Sequence, residues 1–332
     1  MQTTMYCVRS GRVSIAAIFG FVLFFGHGCA PVTKRIEVGE LRERVIVDER
    51  PSPTAEIDTD YEDFLTSGDF DLAVKTIAQY ERWLSKQLKE PMWTSFDAAA
   101  IEVFLVTHEW TWEQMYVVDK LSDLYYYYGL GLARDAKGKQ KRDALEVFEK
   151  SRAYGLAGLC YNNDFRLGLV NGKRIREIVD TLQVDDLASI NNLGASWARV
   201  GEYKGVLTQL QNLTDITALY ERSLEIDPGF NAGVGHIVLG SVYCALPKAL
   251  GGDLELGGEH FDRALQIDQT FLETYVLYAE YYLRTIGDAE GYKRALHTVV
   301  DAPDDLSWIF RRENALAKER AATLLEGADS IF

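Results

Sequence analysis

Proline, basic charge and long hydrophobic runs are all in short supply. Seven prolines in 332 residues leave long uninterrupted stretches rich in Ala, Leu, Glu and Arg, which favours a mainly helical fold over a sandwich or barrel. Lys and Arg number 35 against 50 Asp and Glu, a formal net charge of −15. That balance repels a phosphate backbone, and no local cluster of basic residues offsets it, which argues against nucleic acid as a partner. A single apolar run rules out a multi-span membrane protein, and 47% hydrophobic with 26% charged residues is neither disordered nor collagenous. What remains is a globular chain long enough for one large domain or two small ones.

That single run lies at the start, where Arg9 and Arg12 precede the apolar stretch Val13 to Phe25 and then Gly26-His27-Gly28-Cys29. Thirteen residues reach about 20 Å as a helix, short of a ~30 Å hydrocarbon core, so the layout is that of a secretory signal rather than a transmembrane anchor. Small residues at the third and first positions before Cys29 resemble the lipobox of bacterial lipoproteins. On that resemblance residues 1–28 are the signal peptide and Cys29 is the lipid attachment site. Three acyl chains hold a protein firmly, since each buried methylene contributes ~0.8 kcal/mol. Ala30, where Asp would signal retention at the inner membrane, points to the periplasmic side of the outer membrane. The alternative is an ordinary signal peptide cut near Ala30, with Cys29 incidental.

Of four cysteines, Cys7 then leaves with the signal and Cys29 carries lipid, and Cys160 and Cys244 remain. Both sit in apolar helical contexts, where a buried free thiol is the commoner outcome than a bridge. Residues 29–60 are polar and interrupted by Pro31, Pro51 and Pro53, and read as a lipidated tether with a reach of roughly 30 Å.

From Tyr61 to Phe332 helical periodicity dominates, with degraded internal repeats. Leu193-Gly194 with Trp197 is echoed 46 residues later by Leu239-Gly240 with Tyr243. A second helix follows each, carrying Tyr220, Ser223, Leu224 and Asp227-Pro228 in one case and Phe261, Ala264, Leu265 and Asp268 in the other. Ala144 with Phe148 and Ser151, and Gly68 with Ala73 and Ile77, have the same pattern. These are the small and aromatic positions of tetratricopeptide repeats, whose period is about 34 residues. The longer spacing implies insertions between Gly201 and Thr217 and within Leu246 to Gly257. Small residues let two helices approach while an aromatic of the partner fills the space beside them, which gives an all-α, tetratricopeptide-like α-solenoid of stacked antiparallel helix pairs.

Three stretches carry a family resemblance. Ala245-Leu246-Pro247-Lys248-Ala249-Leu250-Gly251-Gly252-Asp253, continuing to His260-Phe261-Asp262-Arg263-Ala264-Leu265, is similar to the long turn of the lipoprotein T-components of TRAP (tripartite ATP-independent periplasmic) transporters. The chain end, Asn314 to Leu325 closing with Asp329-Ser330-Ile331-Phe332, and Val184-Asp185-Asp186 followed by Trp197, resemble the same family. The stretch Trp93 to Asp123, rich in aromatics, departs from it. The resemblance implies a non-enzymatic periplasmic protein that forms a homotrimer, pairs with a TRAP-type solute-binding protein and handles small hydrophobic or carboxylate-bearing molecules.

Candidate site residues follow, each with a plainer alternative. Pro247, Gly251, Gly252 and Asp253 could form a partner or ligand loop, since glycines let backbone N–H groups approach an anion. The commoner reading is a turn with Asp253 capping the next helix. Tyr275, Tyr278 and Tyr282 fall at i, i+3 and i+7, one face of a helix, and with Trp197 and Tyr243 could line a cleft or simply pack the core. Tyr125 to Tyr128 spread over about 300° and cannot all face one core. Catalytic machinery has little support: His108-Glu109 opens a zinc-protease motif but Trp112 stands where its second histidine belongs. His236, His260 and His297 have no Cys or His at metal-ligand spacing, and no Gly-x-Ser-x-Gly elbow exists, so no metal or cofactor is expected. A helical-repeat scaffold for envelope assembly, with no small-molecule role, is the alternative function.

Overall fold

The computed structural model describes residues 51–89, 98–133 and 139–332. The signal segment, Cys29 and the tether up to residue 50 lie outside the described residues. The first helix, α1 (Ala55–Ser67), begins ahead of Tyr61. Pro51 and Pro53 precede it rather than break it, and Asp58 in its first turn accepts hydrogen bonds from Ser52 Oγ and Thr54 Oγ1. Across the helix the same carboxylate accepts from the phenols of Tyr80 and Tyr116, each at 2.6 Å, so one residue ties α1 to both the next helix and the rest of the domain.

Helices begin and end where the local chemistry allows. Gly68 ends α1 in the left-handed region, and Asp69 caps α2 (Phe70–Leu88) by accepting from the backbone N–H groups of Asp71 and Leu72. α3 (Ala98–Thr107), α4 (Trp112–Ala133) and α5 (Lys139–Leu159) follow, then the short α6 (Asn163–Val170), which Asn162 caps. Three 3-10 turns between Ile175 and Asp186 lead to α7 (Leu187–Lys204), α8 (Val206–Ile226), α9 (Phe230–Ala245) and α10 (Leu254–Ile267). α11 is composite: α-helical Glu273–Leu277, π-helical Tyr278–Leu283, then a last α-turn Arg284–Ile286. α12 (Ala289–Val300) and α13 (Arg311–Glu326) close the chain. The fold is all-α; among the described residues there is no strand, and no helix is long and apolar enough to cross a membrane.

Successive helices pair in antiparallel fashion through glycine–aromatic contacts. A Cβ on Gly129, Gly194 or Gly240 would lie 2.7 Å from Phe148, 2.7 Å from Tyr220 or 3.1 Å from Phe261, the aromatic each time belonging to the next helix. Pairs then stack through a seam of small residues: Ser122 and Ser151 exchange hydroxyl-to-carbonyl hydrogen bonds between α4 and α5, and Ser151 Oγ reaches Ser196 Oγ of α7 at 2.5 Å. The two stretches of extra length have distinct fates. Residues following Gly205 become the first turns of α8, while those after Leu246 form the exposed turn before α10. Cys160 and Cys244 are buried free thiols.

Candidate functional site

The turn from Pro247 to Asp253 is built for a tight reversal. Lys248–Leu250 make one 3-10 turn, Gly251 adopts φ 93°, and Gly252 donates to the Pro247 carbonyl at 3.1 Å. Gly252 needs space rather than positive φ, since a Cβ there would sit 1.8 Å from the Leu246 carbonyl oxygen. Asp253 caps α10 by accepting from the Leu256 N–H, and its own N–H donates to the Tyr243 carbonyl. Pro247 to Gly251 and Asp253 are exposed, with Leu250 47% exposed at the tip.

The four consecutive tyrosines of α4 point four ways, as their spread requires. Tyr125 donates to Glu81 of α2 at 2.5 Å, Tyr126 faces the Arg199 guanidinium of α7, Tyr127 donates to Glu313 of α13 at 2.6 Å, and Tyr128 packs on Phe70. Burial pushes the Tyr126 phenol up to about 12 against the opposing pull of Arg199.

Beyond Tyr126 the interior is polar. Arg199, 6% exposed, donates to Glu202 at 3.0 Å. From α13, Arg320 bridges two carboxylates of α11, donating to Glu273 at 2.5 Å and to Glu280. Arg199 also acts electrostatically on Glu273 and on Tyr281, which itself feels Glu280 and Arg320. Tyr126, Arg199, Glu202, Glu273, Glu280, Tyr281 and Arg320 thus form one network contributed by α4, α7, α11 and α13. Burial raises Glu273 to about 7 and lifts Glu280 as well, in both cases opposed by Arg320. Two guanidinium groups face three carboxylates, so a raised carboxyl pKa is the expected response of a dry interior with surplus negative charge. Glu280 and Tyr281 lie within the π-helical stretch, a distortion frequent where a helix must present particular side chains. Chemically the network consists of cations already paired with carboxylates, phenols, and a carboxyl that exchanges its proton near neutrality.

The residues singled out in the sequence lie elsewhere. Tyr278 and Tyr282 stack on each other at 5.3 Å, Tyr278 also against Phe261, and Tyr282 fills the space left by Gly258, while Tyr275 packs beside the core shared by α11, α12 and α13. Trp197 is half-buried between two apolar clusters, and Tyr243 stacks on His260 with its hydroxyl 3.4 Å from Glu221. None of these five belongs to the polar network. Its trace in the sequence is Glu273 and Glu280, acids seven apart on one helix whose other positions are mostly apolar, and among 50 acidic residues that pair does not stand out. The zinc-protease fragment is dismantled too: His108 stacks on Phe104 and meets Gln114 at 3.2 Å, and Glu109 is exposed.

Stacked helix pairs around a charge network define an all-α protein, and no cluster of three metal-ligating groups lies among the described residues. The chain belongs to the TRAP transporter T-component family, whose sequence profile matches residues 100–332. The match takes in α4 to α13 and the whole network, and leaves α1 and α2 outside it. That family is a transporter component of the bacterial envelope and not an enzyme family. Among curated proteins no sequence matches the chain.

Proposed function

We propose that the protein is a lipid-anchored T-component that docks a TRAP-type solute-binding protein at the periplasmic face of the outer membrane. In this reading it assembles as a homotrimer and helps deliver small carboxylate-bearing or hydrophobic molecules. The observation that carries the reading is the buried network of α4, α7, α11 and α13, which lies entirely within the segment matching the family. A helix-pair stack that served only as a peptide-binding scaffold would gain nothing from interior arginines, whose desolvation is costly. The exposed turn at Pro247 to Asp253, with apolar Leu250 at its tip, suits a docking contact.

Cys29 supplies the anchor. Cys29→Ser is expected to remove lipid and shift the protein from the membrane to the soluble fraction on centrifugation; retention in the membrane with residues 1–28 still attached would defeat the lipoprotein reading. For the partner, the tagged full chain is recovered from its own membranes in mild detergent after crosslinking, and both proteins and small molecules are identified by mass spectrometry. Recovery of a TRAP solute-binding protein supports the proposal. Recovery of envelope-assembly proteins with no solute-binding protein would make the chain a scaffold sharing only the family's fold.

A further inference from the structure

His236 and His260, 24 positions apart in the chain, meet across the crossing of α9 and α10. Their Nδ1 atoms are 2.9 Å apart, with ring centroids at 5.1 Å and planes inclined by 49°. The backbone imposes this closeness. Gly240 and Gly257 face each other so tightly that a Cβ on either would lie 3.1 or 3.0 Å from the other's carbonyl oxygen. His236 stands one turn before Gly240 and His260 one turn after Gly257, so the antiparallel crossing brings both rings to the same end. Tyr243 stacks on the His260 ring at 5.5 Å and 23°, which limits its rotation. Both imidazoles are half-buried, held by the helices yet reachable from solvent.

Metal–imidazole bonds of about 2.0–2.1 Å place two nitrogens about 2.9 Å apart at a 90° angle and about 3.3 Å apart at a tetrahedral one. The observed separation therefore matches adjacent positions of a square-planar or octahedral ion as it stands. The charge surroundings are mixed. Arg263 acts against charge on His236, although its guanidinium reaches Gln266 at 3.4 Å, while Glu259 acts in favour of charge on His260 and Glu221 receives the Tyr243 hydroxyl. Burial first, then His260 and Arg263, hold His236 down at about 4, and burial holds His260 below the usual imidazole range. Both rings are thus neutral at physiological pH, the form that ligates a metal; the ring whose Nδ1–H donates in the 2.9 Å contact offers its lone pair once that proton moves to its own Nε2.

We propose that His236 and His260 form a two-nitrogen chelating site for a late first-row divalent transition metal, with water in the remaining positions. No third His, Cys, Asp or Glu completes a cluster among the described residues, so selectivity follows intrinsic affinity, Cu²⁺ above Ni²⁺ and Zn²⁺. Bound metal staples α9 to α10 at their crossing. The rings lie on different helices, so their spacing is invisible to any pattern sought within one segment.

The test is titration of the metal-free full chain, purified in mild detergent without an affinity tag, with CuCl₂, NiCl₂ and ZnCl₂. Calorimetry and thermal melting are followed for the unaltered protein and for His236→Ala, His260→Ala, His260→Gln and the exposed control His297→Ala. Expected are one equivalent bound in the order Cu²⁺ > Ni²⁺ > Zn²⁺, a melting temperature raised by metal, and Cu²⁺ electron paramagnetic resonance with hyperfine structure from two nitrogens. Each variant at 236 or 260 should weaken binding about tenfold or more by removing one of two ligands, while His297→Ala changes nothing. Should the alanine variants fail to fold, His260→Gln and the two-nitrogen signal of the unaltered protein carry the decision. Absence of saturable binding, binding unaffected by all three variants at 236 and 260, or a signal from one nitrogen would each overturn the proposal and leave the pair as a hydrogen bond between helices.

Discussion

At the scale of single residues, Asp119 of α4 shows what the tight stacking costs. It accepts from Ser189 Oγ at 2.7 Å, yet burial, with Asp186 and Asp123 nearby, lifts it to about 7 despite that hydrogen bond and Lys120. Glu273 reaches about 7 by the same cause. For a carboxyl whose pKa is higher folded than unfolded, the native state binds the extra proton between the two values. Stability is therefore fully present below about pH 4 for these groups and is lost as pH rises through 7. Unfolding in urea at pH 5.5, 6.5 and 7.5 should show stability falling, with a slope of at most about 1.4 kcal/mol per pH unit for each group. Asp119→Asn keeps an acceptor for Ser189 and cannot ionise, so its slope should be shallower. An identical slope in the variant would mean that Asp119 is ionised throughout.

At the scale of elements, α11 separates what the sequence discloses from what it conceals. The glycine–aromatic pairs could be read directly, because Gly194 with Tyr220 and Gly240 with Phe261 follow from a small residue opposite a large one. So could the cap at Asp253, since one Asp before an apolar periodic run has few other roles. The inner face of α11 could not. Counting Tyr275, Tyr278 and Tyr282 onto a face assumes 3.6 residues per turn, but Tyr278–Leu283 is π-helical, and Tyr281 is the phenol that meets the network. Its partners Arg199 and Arg320 are contributed by helices distant in sequence, and an acidic chain offers too many carboxylates for Glu273 and Glu280 to stand out. Arg320 holds this element in place. Arg320→Ala leaves two buried carboxylates without their shared cation and should destabilise by about 3–5 kcal/mol, whereas Arg320→Lys, which can serve one of them, should cost less. Chemical denaturation of both variants checks the order. Equal, small losses would show that the carboxylates are neutral and need no cation.

Over the whole molecule, the stack does not run on as an open ribbon, because its last helix returns to its first. Tyr127 of α4 donates to Glu313 of α13 across 186 positions of chain, and the Arg312 guanidinium lies 4.9 Å over the Phe64 ring of α1 and 4.4 Å over that of Tyr127. Glu313 is 4% exposed, so its hydrogen bond is made in a dry site and counts for more than one at the surface. An open solenoid loses stability repeat by repeat from its ends. A stack tied end to end should open as a unit, with α1, which lies outside the family match, protected by α13, which lies within it. Tyr127→Phe removes the hydroxyl while keeping the ring under Arg312. The expected loss is about 1–3 kcal/mol. Native-state hydrogen exchange should then show protection falling together in α1 and α13 while α7 to α10 hold theirs. If α13 loosens and α1 does not, the two ends are independent and α1 is held by its contacts with α2 and α4, among them Asp58 with Tyr80 and Tyr116 and Tyr61 with Asp123.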